Sequence, residues 1–123
     1  GVEALERALR LHEDEARLLA DTLSTISNIV YINDEIRLDV ADRCMDLIAK
    51  VFARFKTDHD VFCMTMRVLG NLTLCDANTP KLVAAQVVPL ILEGCELHTR
   101  SEPAVTMAMQ VLKNIACTPN PPG

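Results

Sequence analysis

The chain has 123 residues, half of them hydrophobic, with three Phe, one Tyr and no Trp. Its formal net charge is −5, and the excess acid lies wholly in residues 1–60, which hold 13 acidic and 8 basic residues against 4 of each in 61–123. This balance counts against a nucleic-acid surface, which needs a basic stripe, and there is neither a run of about 18 apolar residues to span a membrane nor a secretory pattern at the start. The length suffices for one domain with a sizeable core, and a core of Leu, Val, Ile, Ala and Met suits close helix packing. The five cysteines, Cys44, Cys63, Cys75, Cys95 and Cys117, contain no C-x-x-C pair. Their odd number and their place in apolar helical runs read as reduced, mostly buried thiols, which favours a cytoplasmic or nuclear location. Gly1 reads as the remnant of a cleaved tag.

Taken in order, the first segment is Val2 to His12, followed by Glu13-Asp14-Glu15 as the acidic start of a long helix, favourable to its dipole. Asn33-Asp34 caps a helix whose apolar positions are Ile36, Leu38, Val40 and Ala41. A separate helix is expected from about Cys44 to Phe55, with Leu47, Ile48, Val51, Phe52 and Phe55 at helical spacing. Lys56-Thr57-Asp58 marks a turn. A longer helix then carries Val61, Phe62, Met66, Leu69 and Leu72. Asp76-Ala77-Asn78-Thr79-Pro80 starts a short helix from Lys81 to Gln86. Pro89 suits the first turn of the next helix, where a missing N–H does no harm. Ser101-Glu102-Pro103 opens the last helix, and the Pro-rich stretch 118–123 reads as an extended tail.

Three of these segments are copies of one another. Asn28, Asn71 and Asn114 are each 43 residues apart, and the apolar positions around them keep the same interval: Leu23, Met66 and Met109; Ile26, Leu69 and Leu112; Ile29, Leu72 and Ile115. Val40 pairs with Val83 and Leu47 with Leu90 in the same register, and His12, Phe55 and His98 all close a second helix. A fixed period of about 40–47 residues with helical patterning is the signature of a stacked helical repeat, whose units bury their apolar faces against each other. The chain divides into a truncated unit 1–32, full units 33–75 and 76–117, and the tail 118–123. Val2-Glu3-Ala4-Leu5 makes a poor polar cap, so the chain reads as a piece of a longer array. This end is expected to make it self-associate or be only modestly stable.

The unit of a short helix, a Pro-containing second helix and a long helix ending in Leu-x-Asn-Leu resembles the armadillo repeat. The match is strongest over Leu82 to Leu92 and Ala108 to Ala116, and it covers nearly the whole chain except the tail. It implies an all-α, right-handed α-solenoid of three-helix repeats; a two-helix HEAT-like repeat is the nearest rival, against which the three segments per unit and Pro89 argue. It also implies a concave groove of third helices in which Asn28, Asn71 and Asn114 hydrogen-bond an extended peptide through amides that both donate and accept. The alternative reading of each Asn is a bond to a neighbouring loop or helix end. Two features depart from the family. The glycine between first and second helices is replaced by Arg43 and Gln86, neither of which shares its ease at positive φ. The Trp that importin-α-type members carry four residues before the Asn is replaced by Ser24, Arg67 and Gln110. With no aromatic wall for a lysine stem, and with Arg67 near the groove centre, basic nuclear-signal peptides are disfavoured. Met64 and Met107, beside Arg67 and Lys113, suit a partner with apolar and acidic side chains; a place inside the stack is their other reading.

Other constellations carry less. His12, His59 and His98 are not grouped with cysteines at metal-ligand spacing, so no metal is expected. Asp34, Glu35, Asp39, Asp42 and Asp46 read as a solvated face. Gly70-Asn71 lacks the surroundings of a phosphate loop, and no nucleophile constellation recommends an enzyme or a cofactor. The expectation is a protein-interaction module that binds an extended segment or helix of a protein partner, with no nucleic acid and no membrane span. The competing readings are a regulatory domain that binds a small metabolite for an enzyme elsewhere in a longer chain, and a structural spacer.

Overall fold

The computed structural model describes residues 1–118; the rest of the Pro-rich tail, 119–123, lies outside the described residues, and so does the expectation made for it. The described residues form seven α-helices, one 3-10 turn and no strand. They are α1 (Glu3–His12), α2 (Ala16–Val30), α3 (Asp34–Phe55), α4 (His59–Leu72), the 3-10 turn Asp76–Asn78, α5 (Thr79–Ala84), α6 (Val87–Leu97) and α7 (Glu102–Cys117). No helix among them is long and apolar enough to cross a membrane.

Capping chemistry sets the starts. Asn33 accepts from the Ile36 N–H, Asp58 from the Val61 N–H and Ser101 from the Ala104 N–H, each satisfying one of the donors that a helix leaves without an internal partner. Glu13 and Asp14 do not open α2 as expected, because α2 begins at Ala16. Instead Glu13 faces Lys50 and Asp14 faces Arg54, so these acids tie the α1–α2 turn to α3. Arg43 to Glu3 and Glu6, Lys81 to Asp42 and Lys56 to Glu93 continue the same pattern across the helices. Exposed pairs of this kind are screened by solvent and add little to stability.

The expected break at Arg43 is absent: residues 34–55 form one uninterrupted helix. The break does occur one unit later, at Gln86, which takes φ 62° and ψ 34°, the left-handed region that glycine favours. Proline explains the difference. Pro89 has no N–H and its ring clashes with the carbonyl four residues back, so a helix cannot run from Ala85 into it. The position 43 residues earlier is Asp46, which lets the helix continue through Ala41-Asp42-Arg43-Cys44.

Two sets of helices pack in series. α2 lies on α4 and α4 on α7; α1 lies on α3 and α3 on α6, with α1 also against α2 and α3 against α4. Leu23, Ile26, Met66, Leu69 and Leu72, the repeated apolar positions, are buried between the sets with Phe52, Phe62, Ile48 and Ile91. Phe52 and Phe62 meet with ring centroids 5.8 Å apart at 43°, a tilted contact worth about 0.5–1.5 kcal/mol beyond its burial. Burial weakens toward α7, where Leu112 and Ile115 are half-buried and Met109 is exposed.

Candidate functional site

Helices α2, α4 and α7 run side by side, so residues 43 positions apart form a row across them. Between them lies an open cavity of about 670 Å³. Asn28, Arg67, Asn71, Met107, Gln110 and Asn114, six of the eight residues expected to form a groove, line it together. Ser24 and Met64 do not line it. Ser24 is half-buried and its carbonyl accepts from the Ser27 hydroxyl. Met64 packs in part against the core, as Met107 also does, and its sulfur stands 3.9 Å from an Arg67 nitrogen.

The asparagines are not a row of free amides. Asn71 Nδ2 donates to Ser27 O at 2.8 Å. Ser27 is one of the last four residues of α2, whose carbonyls run out of helical donors; the Tyr31 N–H, which would have closed that turn, goes to Ile29 O. One unit on, the Leu74 N–H turns to Asn71 O and leaves Gly70 O in the position of Ser27 O. There the Thr73 hydroxyl donates to Gly70 O at 2.6 Å, and Asn114 Nδ2 donates to that hydroxyl at 3.1 Å. Asn71 and Asn114 thus close the ends of α2 and α4, the one directly and the other through a hydroxyl, while Asn28 closes no helix end. The bond to a neighbouring helix end and the position on the cavity wall are both present.

What is left over decides what the wall offers. Asn114 is engaged at both ends, since Gln110 Nε2 donates to its Oδ1 at 2.9 Å. Asn71 Oδ1 and Asn28 Nδ2 have no partner among the described residues, and Asn28 Oδ1 meets only Arg67, at 3.5 Å. Asn71 therefore offers the wall a free acceptor and Asn28 a free donor, which together match the N–H and C=O of a peptide group. Arg67 is exposed, meets no carboxylate among the described residues, and is the one ionised side chain of the lining.

Sequence reading missed the rest of the lining. Tyr31 and Leu74 are 67% and 52% exposed and stand at one edge of the cavity. They lie three residues beyond Asn28 and Asn71, at the same 43-residue interval, so the repeat register held the signal. A second unforeseen meeting joins His59 and His98, whose ring centroids are 5.6 Å apart. His59 Nε2 bonds the Ser101 hydroxyl at 2.7 Å, and His98 Nε2 donates to Lys56 O at 2.8 Å. Among the described residues no three His, Cys, Asp or Glu side chains converge in a way that could hold a metal ion.

Cys44, Cys63 and Cys75 are buried, Cys95 is half-buried and Cys117 is exposed, all as free thiols. Burial pushes the Cys44 thiol up to about 11, with Glu6 adding to the effect, and burial raises Cys63 and Cys95 as well. Thiols held protonated in this way are poor nucleophiles. Comparison of the chain with protein-family models, with curated proteins and with solved structures finds no match.

Proposed function

We propose that the chain is a protein-interaction module, an armadillo-like α-solenoid segment that binds an extended segment of a partner protein across α2, α4 and α7. The observation that carries this reading is the cavity that brings Asn28, Arg67, Asn71 and Gln110 together on one wall. Its open form, its free amide donor and acceptor at Asn28 and Asn71, and its single cation favour a peptide with acidic character over a basic one. The partner's main chain bonds Asn71 Oδ1 and Asn28 Nδ2, and a carboxylate approaches Arg67.

The test is chemical-shift mapping of the labelled protein with acidic and basic peptides of equal length. Acidic peptides are expected to shift amides of α2, α4 and α7. The double substitution Arg67→Glu with Asn71→Ala should remove that response while far-UV circular dichroism stays helical. Tight binding of a basic nuclear-signal-like peptide, undiminished by the double substitution, would overturn the reading.

A further inference from the structure

Resting on that proposed groove, we infer that its anchoring site is the edge row Tyr31–Leu74, which seats a bulky apolar side chain of an acidic partner segment beside Arg67. The asparagines then align the partner's backbone and supply little of the affinity.

Three observations carry this. Tyr31 and Leu74 are among the most exposed large apolar side chains of the molecule, yet their backbones are held from beneath. Arg37 Nη2 donates to Tyr31 O at 2.8 Å. Asn78, wholly buried, donates through Nδ2 to Arg37 O and to Leu72 O, both at 3.1 Å, and the Leu74 N–H bonds Asn71 O at 3.2 Å. The buried Asn78 amide thereby ties the start of α3, whose Arg37 holds Tyr31 O, to the end of α4, two residues before Leu74. Apolar groups presented on an already ordered backbone lose less freedom when a partner arrives, and aromatic residues of this kind are where binding energy concentrates.

The second observation is room. Gly70 lies in the cavity wall, and a Cβ built there would meet only Val111 Cγ2, at 3.7 Å, an ordinary contact. The fold does not require glycine at this place, so its missing side chain leaves space beside Leu74 that a ligand side chain can fill. The third is charge. Among the described residues the polar contacts of the Arg67 guanidinium are Asn28 Oδ1 at 3.5 Å and Met64 Sδ at 3.9 Å, both long, in a chain whose net charge is −5. A cation left without a carboxylate at the edge of an apolar seat matches an acidic segment and repels a basic one.

The experiment is selection of random twelve-residue segments displayed on phage, run on the native protein and on two controls. These are Tyr31→Ser with Leu74→Ser, at exposed positions, and Asn28→Ala with Asn71→Ala; each is first checked for native helicity and thermal midpoint. Native selection should enrich Asp or Glu together with Leu, Ile, Phe, Tyr or Met, and deplete Lys and Arg. Synthetic copies of the enriched segments should lose about tenfold or more in affinity to the edge-row variant and only about threefold to the asparagine variant. Replacing their acidic residues by amides should weaken binding to the native protein and not to Arg67→Glu. Enrichment of basic or purely polar segments, or a loss confined to the asparagine variant, would overturn the anchor while leaving groove binding intact. Failure to enrich any segment over a protein carrying all four substitutions would overturn groove binding itself, and the anchor with it.

Discussion

Asn71 and Leu69 are two residues apart on α4, and the physics assigns them different costs. Leu69 is wholly buried at a position repeated in every unit, so Leu69→Ala leaves a cavity and should destabilise by about 2–5 kcal/mol in denaturant unfolding. Asn71→Ala removes a bond to Ser27 O at the end of α2 and should cost about 1 kcal/mol, the net worth of one hydrogen bond. Equal losses in the two variants would show Asn71 to be a core element and remove it from the groove. The thiols give a second check at this scale. At pH 8, alkylation by iodoacetamide should modify exposed Cys117 first and Cys44 last, as read by mass spectrometry of digests, because burial holds the Cys44 proton up to about pH 11. The sign follows for stability as well. A thiol whose folded value exceeds its unfolded value of about 8.5 keeps its proton in both states below that pH, and only in the folded state between it and about 11. Its contribution is therefore constant below that pH and is lost as the pH rises from there toward 11. Rapid labelling of Cys44 in folded protein would contradict the burial of α3.

Helix boundaries were legible wherever a side chain caps or a proline forbids. Asn33, Asp58 and Ser101 start helices as their chemistry dictates. The continuity of α3 was not legible at Arg43, where the armadillo pattern carries a glycine, because the deciding residue is the one three places later, proline in one unit and Asp46 in the other. Gln86 bends because of Pro89, and Arg43 does not bend because Asp46 permits the helix. Since Gln86 is exposed and strained at φ 62°, Gln86→Gly should raise stability by about 1 kcal/mol, measured as a rise in the unfolding midpoint. A fall would mean that the Gln86 side chain makes a contact that outweighs the strain. Gly94 on α6 behaves in the opposite sense. A Cβ there would collide with the Phe62 ring, so Gly94→Ala should destabilise by about 1–3 kcal/mol, although alanine is the better helix former. Val51 occupies the same repeat position one unit earlier; glycine here answers to the bulk of Phe62 from α4, which the repeat interval alone could not reveal.

The all-helical architecture and the serial packing of α2, α4 and α7 could be read from one interval, because a 43-residue period in apolar positions leaves few other ways to bury them. Half of the candidate site followed from the same interval: the Asn row was found, while Tyr31 and Leu74 were passed over because an exposed apolar residue after a helix looks unremarkable until its counterpart is aligned. That Asn71 and Asn114 bond a neighbouring helix end stood as the alternative reading of the sequence; which acceptors they take was out of reach, since that depends on which carbonyls the helix ends leave open. The same register also relocates the surface that should drive self-association. Val2 and Leu5, at the end expected to be sticky, pack in part against the core. Val40 and Met66 are buried, but their counterparts 43 residues on, Val83 and Met109, are 53% and 46% exposed, and Leu92 on the neighbouring helix is 50% exposed. A face built like a buried one and left open favours association in proportion to the apolar area it removes from water. Sedimentation velocity across a hundredfold range of concentration should therefore show growth in the weight-average mass. Val83→Glu with Met109→Glu should return the protein to a monomer with unchanged helicity, whereas Leu11→Glu, on α1, should leave association as it was. A native protein that stays monomeric at the highest concentration would show that the open face drives no association, and a response to Leu11→Glu alone would move the associating face to α1.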